Sequence, residues 1–492
     1  MTPAAREEPN RWAVLALLGI AQLMVVLDAT IVNIALPSAQ RALHFSTDSR
    51  QWVVTAYALA FGSLLLLGGK LGDLFGRKWT FIAGLLGFSG ASAIGGLAQS
   101  LGMLVAARAL QGVFGALLAP SALSLLTVTF AGSPDRPKAF GIFSAIAGAG
   151  GSVGLLLGGI LTQTLSWRWC LYVNLLIAVP TAIVSLRVLV NHGDPARPRI
   201  DLPGVLAATG GLFAVVYGFS NAETSSWSDP VTIIAFVASA VLLVSFVAIE
   251  RRAAHPLLPL HIIWDRARGG MYASIALAVS GVFGVFLFLT FYMQDGLHFS
   301  PIGTGVAFMP MNVTIIATAT TVQTRVLPRT GPKAVVVAGM TLGMLAMLFF
   351  TRITPGSGYV AHVMPGLILV GLAMGGIFAA AFGTATLGVK PTEAGVAAAM
   401  VNTSQQVGGS IGTAALSTLF ASAAASFLRG HPHLHDVANA AQIHGYTTAF
   451  WCAAGLYAVG LLVAIFVLPR RARLAEKAQV PAPAAQLSLA SE

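Results

Sequence analysis

Charged side chains are scarce in this chain. Asp, Glu, Lys and Arg make up 9% of its 492 residues, whereas soluble domains carry about 25%. So few charges cannot cover the surface of a soluble protein of this length. Cysteine is nearly absent as well: Cys170 and Cys452 lie far apart in separate apolar runs, which leaves a disulfide framework unsupported and makes both small packing residues. No G-K-[ST] phosphate loop is present, so ATP hydrolysis is not the energy source. No cleavable leader is evident either: the apolar run from Trp12 is too long for a signal-peptide core and has no convincing cleavage site, so it is expected to be a retained span. No His and carboxylate pairing at a membrane interface suggests a membrane-bound enzyme.

What is present is a series of apolar runs of about 20 residues each, the length of a membrane-crossing helix. Fourteen candidate spans lie near 12–36, 51–70, 79–100, 102–130, 138–163, 169–190, 203–221, 231–250, 270–294, 301–324, 332–351, 358–383, 395–428 and 446–469. A barrel would alternate over about ten residues per strand instead. The expected fold is therefore an all-α polytopic membrane protein. Its net charge of +11 does not form a nucleic-acid surface, because the basic residues sit in alternate short loops rather than on one face. About 22 lie on the side of the termini, among them Arg77, Lys78, Arg136, Lys138, Arg251, Arg252, Arg325 and Arg470, against about five on the other. Positive charge marks the inner side, which predicts a multi-pass protein of the cell membrane with both termini in the cytoplasm.

Spans seven and eight, within 203–250, carry few polar side chains beyond Ser, Thr and Tyr, and helices apolar all round are most easily placed facing lipid. The pair reads as a peripheral insertion. It separates a six-helix bundle at 12–190 from a second at 270–469, with a short tail at 1–11, a loop at 251–269 and a disordered, Ala- and Pro-rich tail at 470–492. Two six-helix bundles suit a transporter with its site near the midplane between them. A single copy is the expected functional unit.

Of the seventeen acidic residues, only Asp28 falls well inside a span; among the basic residues only Arg108 is comparably deep. A charge at bilayer depth costs roughly 2.5–3.5 kcal/mol on insertion scales and usually marks an ion or substrate path. Span one runs outward and span four inward, so the two residues reach similar depth and are expected to face each other. A structural ion pair that fixes helix packing is the alternative. A pair that protonation can separate is a switch, because burial favours the neutral acid and a guanidinium favours the carboxylate.

Motifs in order narrow this further. Gly69, Asp73, Gly76, Arg77 and Lys78 complete a G-x-L-x-D-x-x-G-R-K segment after span two. It resembles the loop motif of the major facilitator superfamily. The opening L-D-x-T-I-V-N-x-A-L-P around Asp28 and Asn33 is similar to the first-helix motif of the fourteen-span drug:proton antiporters (EmrB/QacA type), and Arg108 to Gln111-Gly112 matches their R-x-x-Q-G. Gly150, Gly154, Gly158 and Gly159 follow the antiporter motif of the fifth helix, with Leu155 replacing its proline, and Leu176 stands where span six commonly has another, beside matching Trp167, Trp169 and Asn174. Losing a proline is expected to straighten a helix. Phe114 replaces a usually small residue.

The resemblance implies a proton-coupled exporter of lipophilic drugs or antibiotics. It would work by alternating access, with protons as the coupling partner, the proton gradient in place of a cofactor, and Asp73 bracing the start of span thirteen. A same-fold exporter of a metabolite, lipid or peptide is the second reading. Asn33, Gln111, Phe286, Gln294, Asn402 and Gln406 are candidates for a substrate cavity; for Asn402 and Gln406, hydrogen bonding between helices is the other reading. His431, His433 and His435 form an H-x-H-x-H that can bind metal, although no second cluster supports a site.

Overall fold

The structure is a computed structural model that describes residues 10–45, 51–191, 201–254, 256–354, 356–431 and 437–469. Residues 1–9 and 470–492, together with His433 and His435, lie outside the described residues. Every regular element among the described residues is helical. The principal helices are α1 (Arg11–Leu43), α2 (Gln51–Phe75), α3 (Arg77–Gly96), α4 (Leu101–Thr129), α5 (Arg136–Thr164), α6 (Trp169–Val188), α7 (Leu202–Thr224) and α8 (Pro230–Glu250). They continue with α9 (Arg266–Gln294), α10 (Ile302–Thr330), α11 (Pro332–Phe350), α12 (Tyr359–Ala385), α13 (Ala394–Gly430) and α14 (Val437–Phe466). Thirteen are individually long and apolar enough to cross a membrane, and α5 makes the fourteenth when its two arms are taken as one span.

The loop acids have local work. Asp201, Asp229 and Asp265 each accept a hydrogen bond from a backbone N–H in the first turn of α7, α8 and α9, at 3.1, 2.9 and 3.1 Å. Asn10 and Ser100 cap α1 and α4 in the same way. These caps satisfy donors that have no partner within the helix.

Helices α1 to α6 pack on one another, as do α9 to α14. The two halves meet along α2 and α4 against α13, and along α5 against α10 and α12. The inserted pair divides in its behaviour. Helix α8 packs on α7 and is mostly exposed, but α7 also lies against α2 and α13. Thr55 on α2 and Ser220 on α7 are hydrogen-bonded at 3.1 Å, and Trp227, beyond α7, donates Nε1–H to Thr418 of α13 at 3.0 Å. The expected peripheral pair is thus peripheral only at α8, since an apolar helix suits a protein seam as well as it suits lipid.

Glycine decides the closest approaches. A Cβ at Gly154 would stand 2.7 Å from the Leu27 carbonyl oxygen, and one at Gly158 2.9 Å from Ile31 Cγ1; Gly150 lies against Val26. The stripe on α5 therefore runs along the stretch of α1 that carries Asp28. Gly159 points elsewhere, toward Ile302 of α10. Gly408 and Gly412 bring α13 against the backbone of α9 at Ala276 and Ser280. These are small-xxx-small contacts of the kind that let membrane helices pack backbone to backbone.

One expectation about a missing proline needs correction. Helix α5 is not straightened by Leu155: its arms Arg136–Gly151 and Leu156–Thr164 meet at 48°. The bend follows Gly150-Gly151-Ser152, and Gly/Ser pairs bend helices without proline. Helix α6 still contains Pro180, and Leu176 is 62% exposed on its outer surface. Phe114, in turn, is accommodated by Gly87 of α3, where a Cβ would stand 2.1 Å from its ring.

Gly154→Ala is expected to push α5 off α1, because overpacking a close contact costs about 1–3 kcal/mol. Thermal unfolding in detergent should show a lower midpoint than wild type. Gly455→Ala on α14, where nothing lies within 4 Å, should hold or raise the midpoint, because alanine favours the helix over glycine.

Candidate functional site

Asp28 and Arg108 meet inside the N-terminal half. Arg108 Nη1 donates to Asp28 Oδ2 at 2.6 Å, and the two side chains are 0% and 1% exposed. Desolvating two charges is costly unless further hydrogen bonds satisfy them, and here they do. Asp28 Oδ1 accepts from Asn174 Nδ2 at 2.7 Å and from Gln111 Nε2 at 3.1 Å. Arg108 also donates to Gln111 Oε1 at 2.8 Å and to the Val53 carbonyl at 3.3 Å. Its guanidinium lies 4.4 Å from the centre of the Tyr57 ring, a cation–π contact that gains strength without water. Ser92 Oγ accepts from both amides, at 2.5 Å from Gln111 and 3.3 Å from Asn174. Five helices supply this cluster: α1, α2, α3, α4 and α6.

A second charged site lies at the membrane face where α1 begins and α14 ends. Asp73 Oδ1 accepts from Arg77 Nη2 at 2.8 Å and from the Gly395 backbone N–H at 3.1 Å, across the seam between the halves. Gly395 is in the first turn of α13, where backbone donors are unsatisfied and the helix dipole favours an anion. Glycine makes the approach possible: a Cβ at Gly69 would be 2.5 Å from Gly395 O, and one at Gly395 2.3 Å from Gly69 O. Gly76 caps α3 with φ 94°, in a conformation that other side chains rarely adopt. Lys78 Nζ donates to the Leu186 carbonyl on α6 at 2.7 Å.

The loop after α8 is bound to the same place. Glu250 accepts from the Leu257 and Leu258 backbone N–H groups at 3.0 and 3.2 Å, and both leucines are buried. Lys70, beside Gly69, donates to Pro256 O at 2.8 Å, while His261 Nε2 lies 3.1 Å from Oε2 of Glu393, the residue just before α13.

The proposed cavity residues do not behave as a set. Gln111, expected on a cavity wall, is fully buried in the Asp28 cluster, because its amide bonds both partners of the ion pair. Asn402 is buried and donates to Ala398 O within its own helix, at 3.1 Å. Gln406 lies over Gly62 of α2, where a Cβ would be 2.7 Å from its Cγ. Phe286 packs on Phe308 with ring centres 5.4 Å apart; Gln294 is half-buried and Asn33 exposed. An apolar groove between α10 and α12, lined by Phe299, Met309, Pro310, Val313, Tyr359 and Met364, contains none of them. His431 stacks on Phe427 at 4.3 Å, and no metal-binding group of three His, Cys, Asp or Glu occurs among the described residues.

Sequence reasoning gave no role to Ser92 or Tyr57. A serine in a small-residue helix and a tyrosine near a helix start carry no distinguishing signal. Asn174 had one, as the polar residue of a family motif.

Helices arranged in two halves, with a buried ion pair in one and an ionic contact across the seam, make a membrane transporter rather than an enzyme. The family model of the major facilitator superfamily matches residues 18–413, and the chain belongs to that superfamily. It is 45% identical to the puromycin resistance protein of Streptomyces alboniger, over 96% of this chain and 94% of that protein. It is 36% identical to the cephamycin export protein of Amycolatopsis lactamdurans, over 81% and 83% of the two chains. Among solved structures, the human organic anion transporter TETRAN aligns with a TM-score of 0.62 at 15% identity, covering 93% of this chain and 100% of that one, a likeness of fold.

Removing Asp73 should free the start of α13. With Cys170 and Cys452 replaced, a Val396→Cys reporter at this buried position should react with maleimide roughly 5- to 30-fold faster in Asp73→Ala, for a loss of about 1–2 kcal/mol. Asp73→Asn keeps an acceptor for the Gly395 N–H and should change the rate less.

Proposed function

We propose that the protein is a proton-coupled antiporter that exports lipophilic drugs or antibiotics by alternating access. The observation that carries this reading is Asp28: a fully buried carboxylate in a membrane helix, held by Arg108, Gln111 and Asn174. The names of its relatives support the substrate class. The excess of Lys and Arg at the terminal face supports cytoplasmic termini. A single chain is the working unit, and the proton gradient is its energy source.

In this scheme the Asp73–Gly395 contact closes the cytoplasmic side, so the conformation described faces outward. A proton arriving from outside neutralises Asp28 and removes its attraction to Arg108. Arg108 keeps Gln111 Oε1, the Val53 carbonyl and the Tyr57 ring, so it stays in place while α1 is released. Helix α1 lies along the α5 glycine stripe, and α5 lies against α10 and α12. A shift of α1 thus reaches the seam through two packed contacts. Proton and substrate drive the exchange only in so far as each binds the two conformations unequally.

Inverted vesicles carrying the protein should take up puromycin, and a protonophore should abolish the uptake. Asp28→Asn, present in the membrane at wild-type level, should lose proton-coupled uptake by about tenfold or more, since the ligand-dependent bias between the states is gone. Unchanged coupled uptake in that variant would overturn the reading. A wider panel of drugs, metabolites, lipids and peptides in proteoliposomes then fixes the substrate range.

A further inference from the structure

We infer that Asn174 is a positioning residue that turns its side-chain amide over when Asp28 gains or loses a proton. The inference rests on the proposal that Asp28 is the proton site, and it names the partner that the bound proton requires.

With three donors converging on it, Asp28 acts here purely as an acceptor. The amide of Asn174 must therefore present Nδ2; turned the other way, its oxygen would face a carboxylate oxygen. A protonated Asp28 reverses the requirement, because its new O–H needs an acceptor. The groups facing it offer few. Arg108 has none, and Gln111 Oε1 already accepts from Arg108. Ser92 Oγ accepts from both amides. The Tyr57 ring lies over the guanidinium and its buried hydroxyl, itself without a hydrogen-bond partner, does not bond Asp28, while the Cys170 thiol is next to Thr162 at 3.4 Å. Helix α5 brings its glycine stripe to this stretch of α1, with Leu157 and Leu161 packed on the same apolar cluster as Leu27 and Ile31.

Asn174 remains. Its Oδ1 is buried and has no hydrogen-bond partner. Nothing bonds the far end of the amide, so a turn exchanges an unbonded carbonyl oxygen for unbonded N–H groups, and the bonds to Asp28 and Ser92 must offset that cost. Ser92 is indifferent, since a hydroxyl gives or accepts equally well. The protonation state of Asp28 then supplies the difference between the two orientations. A half-turn of the terminal torsion places Oδ1 against the Asp28 O–H and the Ser92 O–H. The proton comes from water on the open side and binds to a carboxylate oxygen; no other covalent bond changes.

Infrared difference spectra of the full chain in lipid nanodiscs, recorded on acidification, test this. Wild type should show two linked changes: a protonated-carboxyl band, lost in Asp28→Asn, and a shift of the asparagine side-chain carbonyl band, assigned with isotope-labelled asparagine. Asn174→Leu should lose the second change, keep the first, and displace the carboxyl frequency. Asn174→Ser, better tolerated in a polar cluster, should also lose the amide change but hold the carboxyl near its wild-type frequency. A carboxyl band with no amide change in wild type, or an amide change that survives in Asn174→Ser, overturns the inference alone. The absence of any titrating carboxyl band overturns it together with the proton-site proposal.

Discussion

Two opposite charges enclosed in a membrane helix bundle constrain everything around them. Asp28 and Arg108 have no water to fall back on, so protein must supply every remaining lone pair and proton. That requirement accounts for the amides of Gln111 and Asn174, the hydroxyl of Ser92, the carbonyl of Val53 and the ring of Tyr57, drawn from five helices. A change in the charge of Asp28 therefore disturbs the partners of several helices at once, which a lone buried acid could not do.

The packing carries that disturbance outward. Helix α1 rests on α5 through glycines whose missing side chains leave no soft layer between the backbones. Small rigid contacts of this kind pass on a displacement that flexible side chains would absorb. At the far end of the same half, Asp73 joins α2 to the start of α13 through a single carboxylate oxygen shared by Arg77 and Gly395. The two acidic sites thus have different tasks: one lies within a half, and the other fastens the halves together.

The spans, the pairing of Asp28 with Arg108 and the position of Asp73 were legible in the sequence for one reason. Charge in a membrane is so costly that it appears only where something answers it. Weaker signals were misread. Gln111 looked like a cavity residue because a buried amide and a cavity-lining amide have the same sequence signature. Helix α7 looked lipid-facing because apolarity does not tell lipid from protein. The bend in α5 escaped because glycine can supply what the absent proline would have. Ser92 and Tyr57 acquire meaning only from contacts between helices distant in the chain.

The loop after α8 has a mechanical consequence. It is folded against Glu250, fastened to α2 through Lys70, and set beside the start of α13 through His261 and Glu393. One short piece of chain thus holds both halves across their seam. If the halves part on this face, it cannot stay attached to both. Parting of the halves on this face therefore breaks one of these attachments, which places the loop as a tether across the seam.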